Sequence, residues 1–254
     1  MIDIHTHIID GIDDGAQNME DSLALLKMAA ESGTTDIIAT PHIIEGANHA
    51  EWQTILTKTE DLNRNAQDAG IPIRVYAGAE LEMNWDMLPL LKTGQSDYCL
   101  AGSRYVLVEL PANTVPNYAD EFLYEVQIKE RHPYLAKHPR LLHQWLRNGA
   151  LVQCNIGSFT CKFGVDVKNF ANLLLANNMV HFLGTDAHSV EHRHTDTTAG
   201  LEILARKVAP EVLNQIIIAN PAAIIADKYV DIEVPKDMKL PDEKNKGFFS
   251  SLFD

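Results

Sequence analysis

Seven short β-rich runs alternate with amphipathic helical stretches along most of the 254 residues, and this alternation restricts the fold more than any other feature. The runs are IDIH, TDIIAT, IRVYAG, YVLVEL, PYLA, ALVQCN and VHFLGT. Between the first two, NMEDSLALLKMAAESG reads as a helix: Asn18 can cap it, Leu23, Leu26 and Ala30 share a face, and Gly33 ends it. Similar helices are expected around 49–69, 117–131, 141–148, 165–178 and 196–207. About seven βα units without an internal repeat predict an α/β fold, a barrel or a distorted relative of one. An open doubly wound sheet is the competitor, because sequence does not reveal whether the first and last strands pair. No Gly-rich GxGxxG or GxxxxGK[ST] loop follows a strand, which removes the usual mark of a nucleotide fold.

The length suits one domain, expected over 1–235. From Lys236 the chain turns polar, then ends in GFFSSLF. The 236–254 tail is therefore expected to be loosely ordered with an apolar end.

A formal net charge of −14, from 21 Lys and Arg against 35 Asp and Glu, leaves no basic footprint for a nucleic-acid backbone. Nucleic acid is excluded as a partner on that ground. Cys99, Cys154 and Cys161 include no CxxC spacing, so neither a disulfide framework nor a thiolate zinc site is signalled. The start lacks a basic, apolar leader, and the longest apolar run is interrupted by Asn220 and Pro221. A cytoplasmic protein without a transmembrane segment is the expectation.

The ends of the expected strands carry the chemistry. His5 and His7 finish the first, His42 the second, Glu80 the third, Glu109 the fourth, His138 the fifth, and Asp186 with His188 the seventh. Alternate strand residues share a face, which pairs His5 with His7 and Asp186 with His188. In a barrel these ends meet at one mouth, joined by Asp14 from the loop after the first strand. So many imidazoles and carboxylates exceed the needs of one tetrahedral ion, and two or three divalent ions are implied. Nitrogen and oxygen donors suit manganese, iron or zinc, and ligand type alone does not choose among them. The isolated His49, His132, His143, His181, His192 and His194 are assigned to packing or surface.

These residues stand in DIHTH (3–7), TPH (40–42), GAE (78–80), AKHP (136–139) and TDAH (185–188). In that order they resemble the polymerase-and-histidinol-phosphatase (PHP) superfamily. DDG at 13–15, VLVEL at 106–110, NIGS at 155–158, GTDAHS at 184–189 and the GFFSSLF ending resemble, more narrowly, the bacterial metal-dependent tyrosine phosphatases of capsular and exopolysaccharide gene clusters. The resemblance implies a distorted seven-stranded barrel of the PHP type with a trinuclear centre. It assigns His5, His7, Glu80 and Asp186 to one ion, Glu80, Glu109 and His138 to a second, and Asp14, His42 and His188 to a third, with Glu80 as the bridge. It also implies a substrate: the phosphorylated, Tyr-rich tail of a membrane-anchored bacterial tyrosine kinase. The family's usual AHPER reads LAKHPRLL here, which alters the setting of Arg140, the residue that faces the substrate phosphate in the family.

The chemistry follows from the donors. Divalent ions would leave a net positive mouth that attracts a phosphate dianion, and a hydroxide held between two ions would attack phosphorus. Arg140 or Arg193 would clamp phosphate oxygens. A cysteine phosphatase needs C-x5-R, and the nearest spacing, Cys99 to Arg104, is one residue short. Another PHP phosphoesterase, acting on histidinol phosphate or a nucleotide, and a non-catalytic scaffold for a phosphorylated partner remain as alternatives. Phe248, Phe249, Leu252 and Phe253 would share one helical face, and peripheral attachment of the tail to a membrane or partner is a further expectation.

Overall fold

The computed structural model describes residues 1–44, 50–84, 96–111, 119, 127–129, 139–232 and 237. Nine strands alternate with helices among them. They are β1 (Ile2–Thr6), β2 (Asp36–Ala39), β3 (His42–Ile43), β4 (Arg74–Ala77), β5 (Glu80–Glu82), β6 (Leu107–Glu109), β7 (Gln127–Lys129), β8 (Leu151–Asn155) and β9 (Phe182–Gly184). The helices are α1 (Met19–Glu31), α2 (Trp52–Asp68), α3 (Pro139–Arg147), α4 (Ile156–Phe159), α5 (Val165–Ala176), α6 (Thr198–Ala205), α7 (Pro210–Asn214) and α8 (Asn220–Ile225). Asn18 caps α1 by accepting from the Asp21 N–H at 3.0 Å, as its position before an apolar-periodic run predicts.

The fold is mixed α/β, with every strand pair parallel. Among the described residues the ladders do not show the expected seven-stranded barrel. They make two sheets, β1-β2-β4 and β3-β5-β6-β7-β8-β9, and neither closes on itself. The runs TDIIAT and IRVYAG each hold one strand, β2 and β4, and each is followed by a second, shorter strand just beyond the run. Pro41, which has no N–H to give a ladder, separates β2 from β3, and Gly78 separates β4 from β5. At Gly78 a Cβ would lie 2.9 Å from Ile38 Cγ2 and 3.2 Å from Ala39 O, so only glycine lets the two chains pass this closely. β2 and β4 join the first sheet, β3 and β5 the second.

Between β1 and the chain after β9 there is one bridge, Thr6 with Ala187, supported by Asp186 N–H to His5 O and His7 N–H to Ala187 O, both 2.8 Å.

The fifth expected strand, PYLA, lies outside the described residues, as do Lys137 and His138. The expected helix over 117–131 needs correction, because β7 occupies 127–129. In the sequence, Val126 and Ile128 alternate with Gln127 and Lys129, a period of two that suits a strand. The tail after Ile232 is outside the described residues apart from Asp237.

Strands β1, β8 and β9 are buried along their whole length, as parallel strands covered on both faces must be. The outward Val108, Val152, Cys154 and Leu183 join the main core with Leu142, Trp145 and Phe170 from the helices. Leu107, Leu151 and Phe182 meet Ile4, Ile38 and Ile224 in a second, smaller cluster. Two residues further along the same faces stand Glu109, Gln153 and Gly184. Toward the strand C-termini this face therefore changes from apolar to polar, and the candidate site lies there.

Candidate metal centre

Four donors are fully buried together: His5, His7, Glu80 and Asp186. His5 Nε2 lies 3.2 Å from Glu80 Oε2 and 3.4 Å from Asp186 Oδ1. His7 Nε2 lies 3.4 Å from each of the same oxygens and 3.3 Å from His5 Nε2. Five edges of a tetrahedron thus agree closely. The centre of such a figure is about 2.0 Å from each corner, the distance at which imidazole nitrogen and carboxylate oxygen bind zinc. The residues fit a divalent ion.

Two shallower groups adjoin this one. His42 Nδ1 is 3.2 Å from Glu80 Oε2 and 3.7 Å from Glu109 Oε2. His42 Nε2 faces Asp14 Oδ1 at 3.7 Å, and His188 Nε2 approaches the same oxygen at 3.3 Å. Within His7, Asp14, His42 and His188, and within His42, Glu80 and Glu109, the donor atoms lie within 4.8 Å of one another. Glu80 belongs to two groups and His42 faces both shallow ones. The Asp14 side chain is 64% exposed and that of Glu109 33%, so the cluster opens toward solvent on their side.

The structure therefore brings together His5, His7, Asp14, His42, Glu80, Glu109, Asp186 and His188. His138, expected beside Glu80 and Glu109, is outside the described residues; in the described structure His42 stands next to that pair. His42 and Glu80 open β3 and β5 instead of ending a strand, and as register partners they face each other. Asp186 and His188 lie beyond β9, so strand alternation does not explain their convergence. Asp186 has φ +55, a left-handed conformation that aspartate tolerates better than most residues, and its carbonyl accepts from His188 Nδ1 at 3.0 Å.

The arginines differ. The Arg193 guanidinium touches Asp186 Oδ1 through Nη2, and its Nε donates to the Asp186 carbonyl at 3.1 Å. Its Nη1 lies 3.2 Å from His188 Nε2. Arg140 is exposed in the first turn of α3. Of the histidines assigned to packing or surface, His181 is buried and accepts from the Val152 N–H through Nδ1 at 2.9 Å; His49 and His132 are outside the described residues.

Several positioning groups escaped sequence reasoning. Asp13 Oδ2 accepts from His7 Nδ1 at 2.7 Å and from the His42 backbone N–H at 2.9 Å, while Oδ1 accepts from the Gly15 N–H at 3.0 Å. Burial opposes the Asp13 charge, but His7 and the two N–H donors prevail and bring its pKa down to about 2. Burial likewise lowers the His7 pKa, and hydrogen bonds to Asp13, Asp186 and Glu80 outweigh it, leaving the pKa well above the ordinary value. Burial, then the charges of His7 and Arg193, hold His188 low, so its ring stays neutral and able to act as a ligand. Asp3 accepts from the Thr185 hydroxyl at 2.6 Å and is raised to about 6, chiefly by burial. Gly15 is required by close approach: a Cβ there would stand 2.0 Å from His7 O. DDG and DIHTH contain the signal for Asp13 and Asp3, as acids that flank candidate ligands.

Comparison with known proteins adds a family and relatives. The model of the capsular polysaccharide synthesis CpsB/CapC family matches residues 1–226. The tyrosine-protein phosphatase YwqE of Bacillus subtilis is 31% identical, over 98% of this chain and 100% of its own. The tyrosine-protein phosphatase CpsB of Streptococcus agalactiae is 26% identical over 91% of this chain and 100% of its own. Among solved structures, a chain from the crystal structures of YwqE from Bacillus subtilis and CpsB from Streptococcus pneumoniae, described as metal-dependent tyrosine phosphatases, superposes with a TM-score of 0.88. It is 29% identical, covering 94% of this chain and 100% of that one.

Proposed function

The chain belongs to the CpsB/CapC family of capsular polysaccharide synthesis, and from that premise we propose that it is a metal-dependent protein-tyrosine phosphatase. Its substrate would be phosphotyrosine on the tail of a cytoplasmic-facing tyrosine kinase that regulates capsule or exopolysaccharide synthesis. The observation that carries this reading is the buried tetrahedron of His5, His7, Glu80 and Asp186 continuing into two shallower donor groups.

In this reading His5, His7, Glu80 and Asp186 hold one divalent ion, and Glu80 with Glu109 and His138 a second. Asp14, His42 and His188 hold a third, with manganese the first candidate throughout. Bound ions supply Lewis acidity, which makes water nucleophilic near neutral pH and screens the phosphate charge. The chain's own residues do the rest. Glu80 keeps two sites in fixed relation, and the open side near Asp14 and Glu109 admits the ester. Arg193, within reach of Asp186 and His188, and Arg140 on α3 orient phosphate oxygens through their planar forks. An aryl ester suits such a site, because phenolate, with a parent pKa of about 10, leaves without a strong general acid.

The frame would be barrel-like: with β2 and β3, and β4 and β5, each taken as one unit, seven strand units surround the site. A catalytic domain over 1–235 and a tail whose Phe248, Phe249, Leu252 and Phe253 attach it to a partner or membrane complete the proposal. Cytoplasmic location agrees with the finding that no helix among the described residues is long and apolar enough to cross a membrane.

The test is a substrate panel of phosphotyrosine peptide, phosphoserine peptide and histidinol phosphate, assayed with manganese and with chelator. Manganese-dependent turnover of the phosphotyrosine peptide above the others is expected. Preference for histidinol phosphate would move the assignment elsewhere, and no turnover of any member would leave a binding scaffold.

A further inference from the structure

None of the donor groups around the cluster contains a residue of β8, yet the polar end of that strand is fully buried beside them. Three contacts join it to two of the donors. Asn155 Nδ2 donates to Asp186 Oδ2 at 2.6 Å, Gln153 Nε2 donates to Asn155 Oδ1 at 2.8 Å, and His5 Nδ1 meets Gln153 Oε1 at 3.0 Å.

The direction of this chain is forced by chemistry. An ionised carboxylate only accepts, so Asn155 must turn its NH₂ toward Asp186. Its carbonyl then faces Gln153, which must turn its NH₂ and not its carbonyl toward it, since two carbonyl oxygens at this distance repel. The Gln153 carbonyl is left facing His5, and His5 Nδ1 must carry the proton. The remaining nitrogen of His5, Nε2, therefore presents a lone pair toward Glu80 Oε2 and Asp186 Oδ1. The four side chains are 0% exposed, so water cannot substitute for a broken link. Gly184 provides an independent sign that the amide's place is built in: a Cβ there would lie 2.6 Å from His5 Cβ and 2.9 Å from Gln153 Nε2.

We propose that Gln153 and Asn155 are positioning residues that make one carboxylate set the tautomer of its fellow ligand. Asp186 starts the chain through Oδ2 and meets its other end through Oδ1, beside His5 Nε2. The two amides thus hold a pair of ligands in complementary states before an ion arrives. Flipping either amide would set acceptor against acceptor and return the Nε2 proton to the place where a cation would bind. This rests on the metal-centre reading of His5, His7, Glu80 and Asp186.

The test uses the full chain loaded with zinc, which is diamagnetic. Affinity at the tightest site is measured by chelator competition, and the His5 ring is observed by nitrogen-detected NMR. Gln153→Met, which removes both links at similar volume, is expected to weaken zinc binding about 10- to 100-fold and to shift the His5 Nδ1–H resonance. Gln153→Glu keeps an acceptor for Nδ1–H and is expected to retain that resonance, but it loses the donor to Asn155 and so recovers only part of the affinity. Should Gln153→Met fail to fold, Asn155→Ser, which removes the donor to Asp186, is expected to show the same loss of affinity. Zinc affinity within about threefold of wild type and an unchanged His5 signal in the folded variant would overturn the proposal. Failure of the wild-type chain to bind zinc or manganese would instead remove the metal centre on which it stands.

Discussion

Asp13 separates two kinds of acid at the site. Its neighbour Asp14 is largely exposed and lies within ligand distance of His42 and His188, whereas Asp13 accepts from His7 Nδ1 and thereby leaves Nε2 for an ion. Asp13→Ala should weaken metal binding by about 10- to 100-fold, because a ligating histidine loses its orienting carboxylate. It should also destabilise the fold by about 2–3 kcal/mol, since the His7 ring and the His42 N–H lose a charged acceptor. Asp13→Asn, which can still accept from His7, should fall between wild type and alanine. Chelator competition and thermal melting of the three proteins, measured together, check this; equal metal affinity in all three would show that His7 needs no such partner. The clustered donors were legible in the sequence because His, Asp and Glu close to successive expected strands are chemically conspicuous. Gln153 and Asn155 were not, since two amides on a strand carry no spacing signal.

At the scale of elements, period-two runs and helix caps revealed most of the described strands and helices. Their failures have local causes. After Pro41 and Gly78 the chain passes from one sheet to the other and adds the short strands β3 and β5, a change of partner that residue periodicity does not encode. The strand at 127–129 was read as helix because its alternating part is only a few residues long. His181 shows how an apparently idle histidine serves an element junction: its Nδ1 accepts from Val152 of β8 and its carbonyl accepts from Asn220 of α8 at 2.9 Å. Burial lowers its pKa from 6.5 to about 4. Between those values the unfolded chain takes up a proton that the folded chain refuses, so acid favours unfolding. Its contribution is present in full above the ordinary histidine pKa and is lost as pH falls toward 4, at most about 3 kcal/mol in total. Denaturant midpoints at pH 7 and pH 5 should fall more for wild type than for His181→Gln, whose amide can accept from Val152 without titrating. Parallel curves for the two proteins would assign the acid sensitivity to other groups.

For the whole molecule, charge and burial make opposite demands on the same residues. A chain of formal charge −14 gathers Glu80 and Asp186 at zero exposure, with Glu109 and Asp14 beside them, an arrangement that is costly unless cations share the space. Arg193 offsets part of that cost at Asp186. Metal should therefore be a stabilising ligand of the folded state as well as a participant in chemistry. At a free concentration about one hundred times the dissociation constant, each independent site contributes about 2.7 kcal/mol. A domain of this size should then melt roughly 5–10 °C higher per site. Prolonged chelation should lower the melting temperature and abolish phosphatase activity together, and manganese or zinc should restore the melting temperature even where only one of them restores turnover. The thiols should behave in the opposite way. Cys99 and Cys154 are buried, Cys161 is half-buried, and burial together with the charges of Asp97 and Asp227 pushes Cys99 up to about 11, so Cys99 is not prepared as a thiolate nucleophile. Iodoacetamide under native conditions should leave the metal-loaded protein active. Inactivation by alkylation with full activity in chelator would require a thiolate mechanism and leave the buried carboxylates without a chemical purpose.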